Sequence, residues 1–241
     1  MIYNKNITNI VGRQKSVNKF ESVSRTTKKV IKNKKKKSSV SWIKRQINDP
    51  FVKQAHLDGY RCRSAFKLIE IDEKFKIFNK GLSVIDVGAA PGSWSQIAVK
   101  KSGKGNVIGI DLLPILPIDG CELIQGDFTD INTQQIIINK LNVQNKQYAD
   151  IIMSDMAANT TGFKSADHLR TIALVESVWN FSKMLLADNG TFIAKVFMGG
   201  TENNLLNDLK KCFKKVKHFK PKSSRKESIE NYIVATGFKR N

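Results

Sequence analysis

The sequence predicts an α/β fold with a mainly parallel sheet and helices on both faces. Short apolar runs, which are typical of buried strands, alternate with longer segments of helical periodicity. A turn that contains glycines follows the first apolar run. Ligands bind beyond the carboxyl ends of the strands in such sheets, and four aspartates fall at predicted strand ends. They are Asp86, Asp111, Asp127 and Asp155.

The elements follow one another with few interruptions. Apolar residues at helical spacing around Leu68 predict a first helix that carries Lys67. The predicted elements after it are, in chain order, a strand at 82–88, a helix at 93–101, strands at 106–114 and 121–128, a helix at 130–142, a strand at 149–155, a helix from Asp167, a strand at 191–197, a helix at 202–213 and a strand pair near 215–219 and 231–236.

The charge of the chain indicates a polyanionic partner. Lys and Arg number 41 against 21 Asp and Glu, which gives a formal net charge of +20 and favours nucleic acid over a membrane. Residues 1–41 contain twelve Lys and Arg and one acid. We interpret residues 1–40 as a flexible basic arm that binds phosphates, and residues 41–241 as one domain. A solubilising tail and an import peptide are the alternatives for the arm.

Several classes of protein are disfavoured by composition. No apolar run approaches the roughly 18 residues of a membrane span, so we expect no membrane partner. Three widely spaced cysteines and three histidines without ligand spacing predict neither disulfides nor a metal site. A reducing cytoplasm fits this pattern.

A lysine interrupts the apolar run "FIAKVF" at residues 192–197. Burying the ammonium group of Lys195 is costly unless the group is paired or neutral. The simpler interpretation is that Lys195 lies near a strand end and extends its side chain to solvent.

The turn "DVGAAPGSW" is a candidate cofactor site. Gly88 and Gly92 let the backbone approach a ligand, and Asp111 at the end of the next strand is placed to bind ribose hydroxyls. Ala90 stands where a dinucleotide-binding loop has its second glycine, so NAD is disfavoured and S-adenosylmethionine is favoured. Asp127 could instead cap a turn or helix, and Trp94 could belong to the core.

Six blocks in one order carry a resemblance to a known family. "DVGAAPGSWSQ", "IDLLP", "QGDF", "MSDMAAN", "AKVF" and "SSRKESIENYIVATG" resemble the FtsJ/RrmJ-type (RlmE-like) ribose 2′-O-methyltransferases over about residues 41–238. The resemblance implies a Rossmann-like fold dependent on S-adenosylmethionine. It also implies a catalytic tetrad of Lys67, Asp155, Lys195 and Glu230. The cofactor positions that it implies are Gly92, Trp94, Asp111, Asp127 and Asp155.

In the implied reaction a ribose hydroxyl loses its proton as it attacks a sulfonium methyl group. Burial, the ammonium group of Lys67 and the sulfonium disfavour the charged form of Lys195, whereas the two carboxylates of the tetrad favour it. We therefore interpret Lys195 as the base, with a fixed cation beside the developing alkoxide as the alternative role.

The resemblance also implies a substrate. It indicates a uridine in the A-loop of 23S ribosomal RNA, within the assembled large ribosomal subunit, and a monomeric enzyme. The block at residues 41–68 resembles the ribosomal branch more than the transfer-RNA branch. A transfer-RNA methyltransferase and a non-catalytic ribosome-assembly factor on the same fold are the alternatives.

Overall fold

Seven strands form one sheet in the computed structural model, which describes residues 47–158, 161–197, 203–225 and 227–240. The strands are β1 (Val84–Val87), β2 (Val107–Asp111), β3 (Cys121–Gln125), β4 (Ala149–Ser154), β5 (Leu186–Phe197), β6 (Phe213–Phe219) and β7 (Glu230–Phe238). Their spatial order is β3-β2-β1-β4-β5-β7-β6. Strands β1 to β5 are parallel, and β7 is antiparallel to β5 and to β6.

Helices cover both faces of this sheet. They are α1 (Pro50–Leu57), α2 (Ala65–Phe75), α3 (Ser93–Ser102), α4 (Ile131–Val143), α5 (Lys164–Leu185) and α6 (Asn203–Cys212). Neighbouring residues of a strand point to opposite faces. Val84 accordingly packs in a cluster with α2 and α3, whereas Ile85 packs with α4, α5 and α6. The predicted fold class is confirmed.

Local sequence explains where several helices begin. The Asp49 side chain accepts a hydrogen bond from the Phe51 backbone N–H and caps α1, with Pro50 at its first position. Asp130 caps α4 in the same way by accepting from the Thr133 N–H. Helix α3 instead follows Gly92, whose φ of +108° is unfavourable for any residue with a side chain.

Some boundaries differ from the sequence predictions. Strand β3 ends at Gln125, so Asp127 lies beyond it in a turn. Helix α5 begins at Lys164, because the Asp167 carboxylate binds the preceding turn instead of marking the helix start. Strand β5 begins at Leu186, which pairs with the start of β4. Such pairings link residues far apart in sequence, and local periodicity does not report them.

Two sequence expectations concern the chain beyond these elements. Within the described ranges, no helix is long and apolar enough to cross a membrane. The basic arm predicted at residues 1–40 lies outside the described residues, so its role remains a prediction.

Candidate active site

The four residues of the predicted tetrad meet at one edge of the sheet. Lys67 lies in the first turn of α2, Asp155 directly follows β4, and Lys195 lies near the end of β5. Glu230 is the first residue of β7, where it pairs with Phe197 of β5. Strands β4 and β5 are parallel, so Asp155 and Lys195 lie at the carboxyl edge of the sheet.

Hydrogen bonds and ion pairs connect the four side chains. Lys195 Nζ lies 3.2 Å from Asp155 Oδ1 and donates to the Asp155 backbone oxygen at 2.5 Å. Lys67 Nζ lies 3.7 Å from the same Asp155 Oδ1 and donates to Glu230 Oε2 at 2.8 Å. The side chains are only 11–19% exposed. Two ammonium and two carboxylate groups therefore form one largely desolvated but reachable cluster.

Tyr232 is a further member of this cluster. Its hydroxyl donates to Asp155 Oδ1 at 2.5 Å, and Lys67 Nζ lies 5.8 Å from the centre of its ring. Burial, followed by the negative charges of Asp155 and Glu230, raises the pKa of Tyr232 well above its usual value, so the hydroxyl stays a donor. The sequence did contain a sign that Tyr232 belongs to this cluster, because Tyr232 follows Glu230 by two residues and therefore shares its face of β7.

Asp155 is held in its ionised form. Burial is the largest single influence and raises its pKa, but Lys195, Lys67 and the Tyr232 hydroxyl together outweigh burial and lower the pKa below its usual value. Asp155 is therefore a permanent anion that holds both lysines in place at neutral pH.

The loop between β6 and β7 positions Glu230. Ser224 Oγ donates to Glu230 Oε1 at 2.8 Å. The loop is held on α2 because the Glu70 carboxylate accepts the backbone N–H groups of Lys222 and Ser223, at 2.5 and 2.8 Å. Helix α2 therefore carries Lys67 and also fixes the loop that orients the partner of Lys67.

A cavity of about 230 Å³ opens beside the tetrad. Met156, the neighbour of Asp155 in the chain, contributes to its wall. The wall consists of Gly88, Ile110, Asp111, Leu112, Gly126, Asp127, Phe128, Thr129, Met156 and Leu174. Pockets for drug-sized ligands are larger, at roughly 300–1,000 Å³. The cavity therefore suits one apolar ring with an attached polar group, such as a nucleoside.

Asp111 supplies the polar group of this cavity. Its Oδ2 accepts from the Ala90 N–H and its Oδ1 from the Leu113 N–H, each at 2.8 Å. Each carboxylate oxygen has a second lone pair, so Asp111 can still accept hydrogen bonds from a pair of hydroxyls. The residues present therefore fit a bound nucleoside.

Asp127 forms the turn that the sequence offered as one of its two roles, and its cofactor role stays a prediction. Its Oδ1 accepts from both the N–H and the hydroxyl of Thr129, at 2.8 and 2.7 Å, which forms a turn. These hydrogen bonds lower the pKa of Asp127. The residue is exposed and is also part of the cavity wall.

Three predicted cofactor residues lie outside the cavity wall, namely Gly92, Trp94 and the tetrad residue Asp155. A Cβ atom on Gly92 would lie 2.7 Å from Arg61 Nη1 and from Ile118 Cδ1, so only glycine fits there. Trp94 is 2% exposed, and its Nε1 donates to the Ser64 carbonyl at 2.9 Å. The indole therefore belongs to the core, and a cofactor contact from Trp94 would have to come from its backbone N–H at the start of α3. The cofactor role of all three residues remains a prediction.

Asp86 does not point toward the candidate ligand site. It lies within β1, is 1% exposed, and accepts a hydrogen bond from Ser95 Oγ at 2.7 Å. Burial raises the pKa of Asp86 to about 7, against the opposing effect of Ser95. A strand-end position was thus insufficient to identify a ligand residue, because side-chain direction alternates along the strand.

We expect Asp86→Asn to remove a pH dependence of stability. The folded state holds a proton on Asp86 up to about pH 7, whereas the unfolded chain releases it near pH 4. Protonated Asp86 therefore contributes on the order of 3–4 kcal/mol to the free energy of unfolding below pH 4, and this contribution is lost as the pH rises through 7. Urea unfolding at pH 4.5 and pH 8 should show the variant gaining stability over wild type only at pH 8. The exposed Asp119→Asn is the control, and an equal difference at both pH values would contradict the assignment.

No metal centre accompanies the tetrad in the part of the chain that the structure describes. No group of three or more His, Cys, Asp or Glu side chains is placed there to hold an ion.

A Rossmann-like sheet with a lysine–carboxylate cluster beside a nucleoside-sized cavity defines a class of group-transfer enzymes. The family model of FtsJ-like methyltransferases matches residues 60–238, and the chain belongs to this family.

Relatives and a solved structure agree with this membership. The chain is 49% identical over 224 residues to the ribosomal RNA large subunit methyltransferase E of Rickettsia akari, covering 90% of this chain and 94% of that protein. It is 50% identical over 198 residues to the protein of the same name from Gluconobacter oxydans, covering 82% of this chain and 72% of the relative. A Plasmodium falciparum protein described as a ribosomal RNA methyltransferase superposes with a TM-score of 0.65 at 34% identity, covering 74% of this chain and 98% of that structure.

Proposed function

We propose that this protein transfers a methyl group from S-adenosylmethionine to a ribose 2′-hydroxyl of large-subunit ribosomal RNA. The names of the relatives support the RNA class. The finer assignment is a uridine of the A-loop of 23S ribosomal RNA, presented in the assembled large subunit to a monomeric enzyme. This assignment is based on the resemblance of the sequence blocks to the 2′-O-methyltransferases.

One observation carries the proposal. The ammonium groups of Lys67 and Lys195 lie within 4 Å of a single carboxylate oxygen of Asp155, and the next residue, Met156, lines the cavity. A hydroxyl group that enters between the cavity and the two lysines would meet both a proton acceptor and a cation. Ribose 2′-hydroxyls require such groups because they are poor nucleophiles until the proton is removed.

The nucleoside part of the cofactor would occupy the cavity. Asp111 would hold its ribose hydroxyls, Asp127 would bind a polar group at the rim, and Phe128 with Leu112 would contact the adenine ring. When bound, S-adenosylmethionine supplies an electrophilic methyl group on a sulfonium centre. Trp94 and Gly92 would contribute through backbone groups at the start of α3.

The four tetrad residues have distinct tasks in the proposed reaction. Lys195, in its neutral amine form after release of a proton to solvent, accepts the proton of the 2′-hydroxyl at Nζ. Asp155 stays ionised and fixes the positions of Lys195 and Lys67 through its Oδ1. Lys67, held by Glu230, places its positive charge beside the oxygen as negative charge develops there.

Substitution of a single acceptor atom tests the proposal. A large-subunit RNA fragment, or the assembled subunit that contains it, should accept one tritiated methyl group from S-adenosylmethionine. The same RNA with 2′-deoxyribose at the target nucleotide should accept none and still bind, because most of the affinity comes from phosphates elsewhere. Transfer RNA is the matched control acceptor and should remain unmodified. Recovery of the methyl group on the free base after removal of the sugar would contradict the ribose mechanism.

A further inference from the structure

One segment supplies the whole charge excess of residues 42–241. Residues 42–241 contain 29 Lys and Arg and 20 Asp and Glu. Residues 209–226 account for nine of these basic residues and none of the acidic ones, so the rest of 42–241 holds 20 of each sign. Such a concentration of one sign in 18 residues attracts a polyanion to one place on the surface.

The structure places this segment on the outer edge of the sheet. We define the lysine strip as the described lysines of α6, β6 and the following loop, namely Lys210, Lys211, Lys214, Lys215, Lys217, Lys220 and Lys222. All seven are exposed. Strand β6 is the last strand of the sheet and pairs with β7, and no described strand pairs with its other edge.

The register of the strands connects the strip to the tetrad. Phe219 of β6 pairs with Tyr232 of β7, and Tyr232 pairs with Lys195 of β5. Neighbouring strands are about 4.8 Å apart, so the end of β6 lies about 10 Å from the backbone of Lys195. An RNA strand that delivers a ribose to Lys195 therefore passes within reach of the strip.

Two lysines of the strip share the face of the sheet that carries Lys67. Phe219 packs against Phe75 of α2, with ring centres 5.6 Å apart. Lys217 and Lys215 precede Phe219 at alternate positions, so they extend from the same face. They lie about 7 Å apart along β6, which spaces their charges along one line leading to the active site.

Lys215 and Lys217 form no ion pair within the described part of the chain. No carboxylate lies at ion-pair distance from Lys215 or Lys217 among the described residues. Lys214 Nζ donates to the neutral amide oxygen of Asn189. Lysines on an edge strand also discourage pairing between sheets. That role applies to β6 alone and does not account for the lysines of α6 and of the loop.

We propose that the lysine strip, through Lys215, Lys217 and the lysines of the following loop, is a docking surface for the phosphodiester backbone of RNA, which it guides to the tetrad. The proposal rests on the proposed function for the choice of RNA over other polyanions. The strip contacts phosphates flanking the modified nucleotide, so it contributes affinity and register without contacting the reacting ribose.

Removing two charges from the strip tests the docking surface. Lys215→Gln combined with Lys217→Gln should lower the affinity for a large-subunit RNA fragment roughly tenfold and reduce the slope of log K against log salt by about 1.4–1.8. The Michaelis constant for RNA should rise by a similar factor, with kcat and cofactor affinity unchanged. The matched control is Lys80→Gln with Lys100→Gln, which removes the same charge before β1 and at the end of α3.

The outcomes separate this proposal from the proposed function. If the Lys215/Lys217 variant shows the predicted change in slope while the wild-type protein methylates no ribose, that result would contradict the proposed function and support the docking surface. Normal ribose methylation with an unchanged slope in the Lys215/Lys217 variant would overturn the docking surface alone. An equal loss in the Lys80/Lys100 control, or no RNA binding by the wild type, would also overturn it.

Discussion

Replacing Lys195 by methionine is expected to lower the rate of methyl transfer about 1,000-fold or more, while the cofactor dissociation constant stays within about threefold of wild type. Methionine keeps an unbranched side chain of similar reach but removes the amine that would accept the hydroxyl proton. Lys195 contacts Asp155 and lies outside the cavity wall, so cofactor binding should persist. Single-turnover methyl transfer and equilibrium dialysis measure the two effects.

Two further variants refine the test of Lys195. Lys104→Met removes an exposed ion pair with Asp119 and should leave both quantities unchanged. Lys195→Arg keeps the positive charge but cannot act as a base at neutral pH, because an arginine side chain stays protonated. Substantial activity in Lys195→Arg would favour the fixed cation over the base. Wild-type turnover in Lys195→Met would contradict both roles.

Asp155→Asn is expected to lower activity at least 100-fold and to reduce the free energy of unfolding by about 3 kcal/mol at pH 7. The substitution leaves the ammonium groups of Lys67 and Lys195 close together and largely buried without their shared anion. Because the folded state lowers the pKa of Asp155, its stabilising contribution is present above pH 4 and is lost as the pH falls further. Urea unfolding of both proteins at pH 7 and pH 3 should show the difference shrinking at the lower pH.

Tyr232→Phe is the matched control for Asp155→Asn. It removes one hydrogen bond to Asp155 and keeps the buried ring that packs on Trp94. We expect it to cost about 1 kcal/mol, with a smaller loss of activity. Equal stability of Asp155→Asn and wild type at pH 7 would show that the lysines do not depend on this anion.

The sequence by itself determined the class of fold. Alternating apolar runs and helical periodicity depend on residues close together in the chain, so β1, β4 and α3 were predicted within two residues of their observed bounds, and β2 within three. The turn between β1 and α3 that contains Gly88 and Gly92 was predicted for the same reason. The choice of Lys67, Asp155, Lys195 and Glu230 came from the resemblance of sequence blocks, since no local pattern links residues that far apart.

Only the tertiary structure decided what each of these side chains touches. Asp86 and Asp111 both fall at predicted strand ends, yet Asp86 is buried beneath α3 and Asp111 lines the cavity. Tyr232 contacts the tetrad through a hydrogen bond to Asp155, which lies 77 positions away in the chain. The basic residues of 209–226 are visible in the sequence, but their line along the outer strand follows from the order of strands in the sheet. Burial and hydrogen bonding depend on which distant segments pack together, and hydrophobic periodicity reports only which side of each element faces the core.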